Sequence, residues 1–183
     1  MALSKADFNN INVTPAASKK LKWNASANGF ETGDLGGSMV LLSTQTASSS
    51  ATISFTSGID DTYKEYVFKF IDIHPAGNDS ELAYRTAQDL AQGTGAAHLT
   101  QGIGTDNDQS ASGQLMLFAP SSTTFVKHFI ARTNTYSADD YNYTTFVAGY
   151  CNVTAAIDGV QFIMSSGNID AGVIKMYGVG PKQ

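Results

Sequence analysis

The segment Tyr63–His74, YKEYVFKFIDIH, decides the fold class of this chain. Its apolar side chains recur with a period of two, as in a β-strand, where successive side chains point to opposite faces. One face carries Tyr66, Phe68 and Phe70, and the other face carries Val67, Ile71 and Ile73 around Lys69. Aromatic residues on one face and mostly β-branched residues on the other predict a central strand that is largely covered on both faces.

Similar segments precede and follow this strand at intervals of about 8–12 residues, the spacing of a β-sandwich, jelly roll or barrel. The predicted strands are Ser38–Ser43, Ala51–Thr56, Ser80–Gln88, Ala97–Gln101, Gln114–Ala119, Thr124–Thr133, Thr144–Val153, Gly159–Ser165 and Ala171–Val179. The composition of Ser80–Gln88 would also suit a helix. Gly102–Gly113 is predicted to be an exposed loop, Asn134–Asn142 a polar loop, and Ser166–Asn168 a tight turn.

The composition supports an all-β domain. Of 183 residues, 42% are hydrophobic and 15% are charged, whereas soluble domains average about 25% charged residues. Ser, Thr, Asn, Gln and Gly replace the missing charges, whereas solvent-facing helices favour Lys, Glu, Arg and Ala. We therefore predict one antiparallel, jelly-roll-like β-sandwich over residues 37–183, preceded by an extended N-terminal arm over residues 1–36.

The N-terminal arm carries apolar side chains that are too few to form a core of their own. These side chains are Phe8, Ile11, Val13, Trp23 and Phe30. Such a segment gains order by lying on another surface, so we expect these five residues to bind a partner. Trp23 and Phe30 would alternatively cap the core of their own domain. The basic cluster Lys19, Lys20 and Lys22 is typical of a solvated stretch.

The charge and the cysteine count limit the partners and the compartment. A net charge of −5 with only 11 Lys and Arg residues argues against nucleic-acid binding, because phosphate contacts need a basic patch. No segment reaches the ~18 apolar residues of a membrane span, and no apolar run of signal-peptide length follows Met1. The single cysteine, Cys151, excludes an intrachain disulfide and fits a reducing compartment.

No constellation of residues predicts catalysis. His74, His98 and His128 have no Cys or second His at metal-ligand spacing. Asp106–Asp108 resembles the start of a calcium loop but lacks the loop's Gly and its final acidic residue. Nucleophile elbows, phosphate loops and dinucleotide fingerprints do not occur, and Cys151 is expected to be a buried thiol. We therefore predict no catalytic residue, no metal site and no cofactor.

A stripe of aromatic residues spans the predicted loop before Thr144 and the strand that follows it. It consists of Tyr136, Tyr141, Tyr143 and Phe146. Tyrosine in a polar loop gives a large contact area at low cost in conformational entropy, so the three tyrosines are candidate contacts to a partner. Packing at the core or at a sheet edge is the alternative use of the same residues.

The sequence also resembles a known family. Asp7–Ser18, DFNNINVTPAAS, and Gly29–Gly33, GFETG, resemble the opening of small structural proteins of marine and cyanobacterial tailed phages. Ala51–Asp60, ATISFTSGID, the following Tyr63–Tyr66, and Ile169–Gly178, IDAGVIKMYG, are similar to jelly-roll domains of phage tail fibres and head decorations. The resemblance touches both ends of the chain and one central strand, and it specifies no catalytic residue.

The resemblance implies a virion protein that is assembled in the host cytoplasm and that forms homo-oligomers, usually trimers. The favoured function is a capsid decoration or cement protein that binds the major capsid protein or other virion proteins through its N-terminal arm. The alternative is a tail fibre or receptor-binding protein that recognises a host surface glycan. A carbohydrate-active enzyme would need paired carboxylates facing a cleft, and the spacing predicts no such pair.

Overall fold

The computed structural model describes residues 19–24, 26–34, 39–86 and 95–180, and every helix or strand in these ranges is a β-strand. The prediction of an all-β antiparallel sandwich is confirmed. The chain divides into two compact units, Met1–Gly37 and Ser38–Gln183. The described part of Ser80–Gln88 contains the strand Leu82–Thr86, so the helical alternative for this segment is wrong.

The described part of the N-terminal unit is a two-stranded antiparallel hairpin. Strand β1, Lys19–Trp23, pairs with β2, Phe30–Asp34, and the pair Trp23 and Phe30 lies next to the turn. In the turn, the Asn24 backbone N–H donates to the Gly29 carbonyl over 3.0 Å, and the Ala27 N–H donates to the Asn24 carbonyl over 3.0 Å. Part of the predicted extended arm is therefore a hairpin with its own backbone hydrogen bonds.

The described part of the second unit contains ten strands in two antiparallel sheets. They are β3 Met39–Thr46, β4 Ile53–Phe55, β5 Glu65–Pro75, β6 Leu82–Thr86, β7 Ala97–His98, β8 Ala111–Phe118, β9 Lys127–Tyr136, β10 Asn142–Cys151, β11 Val160–Met164 and β12 Ile169–Val179. One sheet has six strands in the order β10-β9-β8-β5-β12-β3, and the other has four in the order β4-β11-β6-β7. Strand β5 is interior to the larger sheet, as its sequence predicts.

The core lies between the two sheets and is rich in aromatic rings. Phe68 of β5 and Phe162 of β11 make an edge-to-face contact with centroids 5.4 Å apart, and Tyr84 of β6 meets Phe129 of β9 at 4.9 Å. Phe55 lies 5.4 Å from Phe68 in the same cluster. Such contacts between facing sheets hold a sandwich together because each ring removes a large apolar area from water.

Strand β5 differs in one respect from the predicted two-sided pattern. Asp72 has a positive φ of 50°, and the pairing of β5 with β8 shifts between Phe70 and Ile73. This bulge turns Ile73 into the core, where it is fully buried, whereas Ile71 stays on the opposite face with 37% of its surface exposed. The prediction that Ile73 lies on the same face as Val67 is therefore wrong. The prediction that this second face is largely covered is correct at Val67 and wrong at Ile71.

The middle of the chain is more ordered and more buried than its composition predicts. Gly102–Gly113 is not an exposed loop, because Ile103 is fully buried, Gln109 is 3% exposed, and Ala111–Gly113 already belongs to β8. The Gln109 side-chain amide donates to the Ser137 carbonyl at 3.1 Å, which satisfies it inside the protein. Asn134–Asn142 is likewise shorter as a loop than predicted, since β9 continues to Tyr136.

Lys127 fixes the end of the β9–β10 pair. Its side chain is fully buried, and its Nζ donates to the carbonyl oxygens of Val153 at 3.1 Å and Ala155 at 2.6 Å. Burial lowers the pKa of this ammonium group, and the neighbouring Cys151 acts in the opposite direction. The two carbonyls belong to the segment that follows β10, so Lys127 ties that segment to the start of β9.

Candidate functional site

The face of the six-stranded sheet that points away from the core is the candidate site, and we call it the outer face. Strand β9 shows how the sequence forms it, because its side chains alternate strictly between buried and exposed. Phe129 and Ala131 are buried, whereas Ile130 and Arg132 point outward. The amino-acid types on this face therefore reflect what the face meets outside the domain.

One row of apolar side chains crosses the whole outer face, and we call it the apolar row. In sheet order it consists of Ala148, Ile130, Met116, Val67, Tyr177 and Leu41. Ile130 is 46% exposed and Leu41 is 51% exposed. On a sheet that faces water this row would normally carry polar residues, so its composition indicates a surface that meets another molecule.

A second row lies two residues away on five of the strands and three residues away on β3, where a bulge adds one residue, and we call it the cationic row. It consists of Phe146, Arg132, Gln114, Lys69, Lys175 and Thr44. The Arg132 guanidinium lies 5.1 Å from the centroid of the Phe146 ring, and Lys69 Nζ lies 5.7 Å from that of Tyr177. Within the described ranges, none of the three cations has a carboxylate oxygen within 4 Å.

Part of the cationic row forms an open groove of about 470 Å³. It is lined by Lys69, Ser112, Gly113, Gln114, Arg132, Thr133, Asn134 and Thr144. One carboxylate adjoins it, because Asp72 lies beside Ser112, whose Oγ is 3.4 Å from Asp72 Oδ1. The Thr133 hydroxyl donates to the Leu99 carbonyl inside the core, which leaves the hydroxyls of Ser112 and Thr144 in the groove. Two cations, two amides and these two hydroxyls match the polar groups of a carboxylated or sulfated ligand, and the neighbouring Phe146 offers a flat apolar surface.

The predicted contact residues of the N-terminal arm are only partly within the described ranges. Phe8, Ile11 and Val13 lie outside them. Trp23 and Phe30 stack on each other with ring centroids 4.4 Å apart, and they are 60% and 40% exposed. The structure therefore brings these two predicted residues together as one exposed aromatic pair on the hairpin.

The three tyrosines predicted as loop contacts lie at the connection between β9 and β10. Tyr141 is 62% exposed, Tyr143 is 39% exposed, and their rings lie 6.4 Å apart, whereas Tyr136 is less exposed at the end of β9. The nearby Asp140 carboxylate raises the pKa of Tyr136. Tyr141 and Tyr143 are thus exposed at this connection, and their contact with a partner stays a prediction.

The residues considered for chemistry lie apart from one another. His74 contacts the Asp106 carbonyl and lies 3.8 Å from Asp170, His98 pairs with Glu81, and the His128 ring lies 6.0 Å from that of Tyr150. Cys151 is buried, with its Sγ 3.2 Å from the Tyr84 hydroxyl. In the described ranges, no group of three His, Cys, Asp or Glu side chains is placed to hold a metal ion.

Sequence reasoning missed the groove. Lys69, Gln114 and Arg132 come from strands separated by long stretches of chain, and only the sheet register places them side by side. The alternation of each strand shows which residues share a face, but it does not show which strands are neighbours. The one local feature of the sequence that could have indicated the groove was Lys69, a charged residue within a strongly apolar strand.

Comparison with known proteins adds no relative. No protein-family model matches the chain, and no curated protein matches it. The part of the chain that the structure describes contains no helix long and apolar enough to cross a membrane.

Proposed function

We propose that this chain is a non-enzymatic structural protein on the surface of a tailed-phage particle. In this proposal it decorates the capsid, associates with copies of itself and attaches to other virion proteins through its N-terminal unit. The virion setting and the self-association rest on the resemblance described above. The attachment rests on one structural observation, the exposed pair Trp23 and Phe30 on the hairpin.

The exposed aromatic pair suits attachment for energetic reasons. Fully burying a large apolar side chain contributes about 1.5–3 kcal/mol, so covering both rings would supply a useful part of a binding free energy. The ion pair between Lys22 and Glu31 beside them, at 3.0 Å, is exposed at both ends and contributes about 0–1 kcal/mol. The aromatic pair, and not the basic cluster, is therefore expected to dominate attachment.

The test measures binding of the purified full-length chain to capsids of the parent phage prepared without this protein. We expect Trp23→Ala to weaken binding by about tenfold or more, since 1.4 kcal/mol corresponds to a factor of ten. Lys20→Ala is the matched control on the same hairpin and should change binding by less than about threefold. Equal binding of wild type and Trp23→Ala would remove the hairpin as the attachment site.

The groove favours a second candidate function, recognition of an acidic glycan on the host surface. Arg132 stacked against Phe146, with Lys69 and two amides nearby, resembles the mixture of aromatic, amide and cationic groups that holds charged sugars. Polygalacturonate and dextran sulfate would be the carboxylated and sulfated probes, with neutral dextran as the uncharged control. Arg132→Gln should reduce binding by about tenfold, whereas Arg85→Gln on β6, with the same change of charge, should not. Absence of binding to both acidic probes would eliminate this candidate.

A further inference from the structure

Among the described strands, none pairs with the second side of β10, so β10 is a sheet edge. It runs for ten residues, Asn142–Cys151, contains no charged residue and no proline, and pairs with β9 without a register shift. Proteins usually protect an edge by shortening it or by adding charge, proline or a bulge, because the free N–H and C=O groups otherwise bind another strand. The edges of the smaller sheet, β4 and β7, have only three and two residues.

The free backbone groups of β10 can be assigned from the ladder. The Ser137 backbone N–H donates to the Tyr141 carbonyl at 2.9 Å, and the Asn134 side-chain amide donates to the Tyr143 carbonyl at 3.4 Å, so these odd-numbered residues turn their carbonyls towards β9. Antiparallel ladders alternate, so the even-numbered residues turn their N–H and C=O groups away from β9. Phe146, Ala148 and Tyr150 therefore present a row of donors and acceptors at the edge.

The sequence around Ala148 is self-complementary. Phe146 and Tyr150 lie two residues before and after it, and all three side chains point to the outer face. In an antiparallel pair of two β10 strands centred on Ala148, each Phe146 would face a Tyr150 of the second copy, and each Val147 would face a Gly149. Aromatic cross-strand pairs stabilise a sheet, and a large residue opposite a glycine avoids crowding.

We propose that β10 pairs antiparallel with β10 of a second copy of this chain, around a two-fold axis at Ala148, so that the two six-stranded sheets become one continuous sheet. In this register, the even-numbered residues of the two strands bind each other through their backbone N–H and C=O groups, which are the groups that face away from β9. A two-fold contact requires the same patch on both copies, and this segment meets that requirement. The inference names the surface through which the proposed self-association occurs, but it does not depend on a virion setting. It yields a dimer, unlike the trimer that the resemblance implies.

The first test is sedimentation of the full-length chain. The wild type is expected to sediment as a dimer. Ala148→Lys should shift it to the monomer, because two ammonium groups would meet at the axis and Ala148 is otherwise exposed. Thr46→Lys adds the same charge at an exposed position of β3, the other edge of the sheet, and should leave the dimer intact. A wild-type monomer, or a trimer that both variants leave unchanged, would overturn the proposal.

The second test probes the register. Directly opposed residues in a hydrogen-bonded antiparallel pair have Cα atoms about 5.5 Å apart, which lies inside the ~4.4–6.8 Å range for a disulfide. Mild oxidation of Ala148→Cys should therefore give a covalent dimer, while Thr46→Cys and the wild type, whose Cys151 is buried, should stay uncrosslinked. Failure of Ala148→Cys to crosslink beyond the Thr46→Cys level, in a chain that sediments as a dimer, would overturn the two-fold register even though the chain self-associates.

Discussion

The two edges of the six-stranded sheet differ in how they meet water. At one edge, β3 has polar Ser43, Thr44, Gln45 and Thr46 in its second half, and its pairing with β12 shifts by one residue beside Leu42. At the other edge, β10 is longer and regular, and it carries the exposed rings of Phe146 and Tyr150. A bulge protects β3 from pairing, whereas nothing in the sequence of β10 does. The difference indicates that β10 is kept regular to bind another strand.

The buried ammonium group behind β10 is expected to give the largest stability effect. Lys127→Met should lower the free energy of unfolding by about 1.5–3 kcal/mol, because two carbonyl oxygens lose a charged donor. Urea unfolding of wild type and variant measures this, and Lys64→Met is the matched exposed control. A loss no larger than that of the control would show that the lysine does not fix the end of β10.

The difference in stability between the wild type and Lys127→Met should depend on pH, and the lowered pKa of Lys127 fixes the direction. Since burial lowers the pKa of Lys127 in the folded protein below the ordinary value of 10.5, the unfolded chain binds more protons between the two values. Wild-type stability should therefore rise, relative to Lys127→Met, as the pH increases from the lowered pKa towards 10.5. A difference between the two proteins that stays constant or shrinks over that range would contradict the account.

A smaller effect on stability is expected from a substitution of Gly149, because there is no room for a side chain between β10 and the Phe129 ring. A Cβ at this position would lie 2.8 Å from two ring carbons of Phe129, its partner on β9. Gly149→Ala should lower the free energy of unfolding by about 1–2 kcal/mol, since the Phe129 ring or the strand must shift to make room for the methyl group. Thermal unfolding measures this cost, and Gly159→Ala, where the nearest atom is 3.5 Å away, is the control.

The side-chain pair at the start of β10 should matter less. Asn134 and Asn142 exchange two amide hydrogen bonds of 2.9 and 3.0 Å across the strands. Asn142→Ala should lower the free energy of unfolding by about 0.5–1 kcal/mol, because the pair is exposed and water competes for both groups. A double-mutant cycle with Asn134→Ala isolates the pair, and a coupling energy of zero would show that it contributes nothing.

Two substitutions that should have the smallest effect on stability distinguish the two sheet edges most clearly. Leu41→Ser on β3 and Phe146→Ser on β10 both replace an exposed apolar residue, with 51% and 70% of its surface in water. Each should change the free energy of unfolding of the isolated subunit by less than about 0.5 kcal/mol, as surface substitutions do. Only Phe146→Ser should weaken self-association, measured as the concentration at which half of the chain is dimeric. An equal effect of both variants on association would place the contact elsewhere.

Much of the fold follows from local patterns in the sequence. The predicted strands Ala51–Thr56 and Thr124–Thr133 contain β4 and most of β9, and the two-residue period of their sequences matches the alternating burial, because a strand repeats every two residues wherever it pairs. The bulge at Asp72 broke this rule, since one extra residue reverses the face of everything after it. The burial of Ile103 was also missed, because that residue pairs through isolated bridges with Ser80 and Ser137, far away in sequence.

The candidate sites were less predictable than the fold. Trp23 and Phe30 were predicted as contacts because the arm has too few apolar residues to form a core. Tyr141 and Tyr143 were predicted because they lie in or beside a polar loop. All four are exposed in the structure. The groove and the free edge of β10 were not foreseen, because both depend on strand order. In particular, β10 is an edge because it pairs with β9 on one side and with no other described strand on its second side. Sequence patterns show the two faces of a strand, and non-local pairing decides which strand is left at the edge.

Hydrogen exchange of individual amides in β10 tests the central claim most directly. In an isolated domain, the amides of Phe146, Ala148 and Tyr150 face solvent and should exchange quickly, whereas those of Val147 and Gly149 are protected by β9. The account predicts that all five amides are protected in the wild type at concentrations where it is dimeric. It also predicts that Ala148→Lys restores fast exchange to the even-numbered amides alone. Fast exchange of Phe146 and Tyr150 in the wild type at every concentration would contradict the claim that β10 binds a second strand.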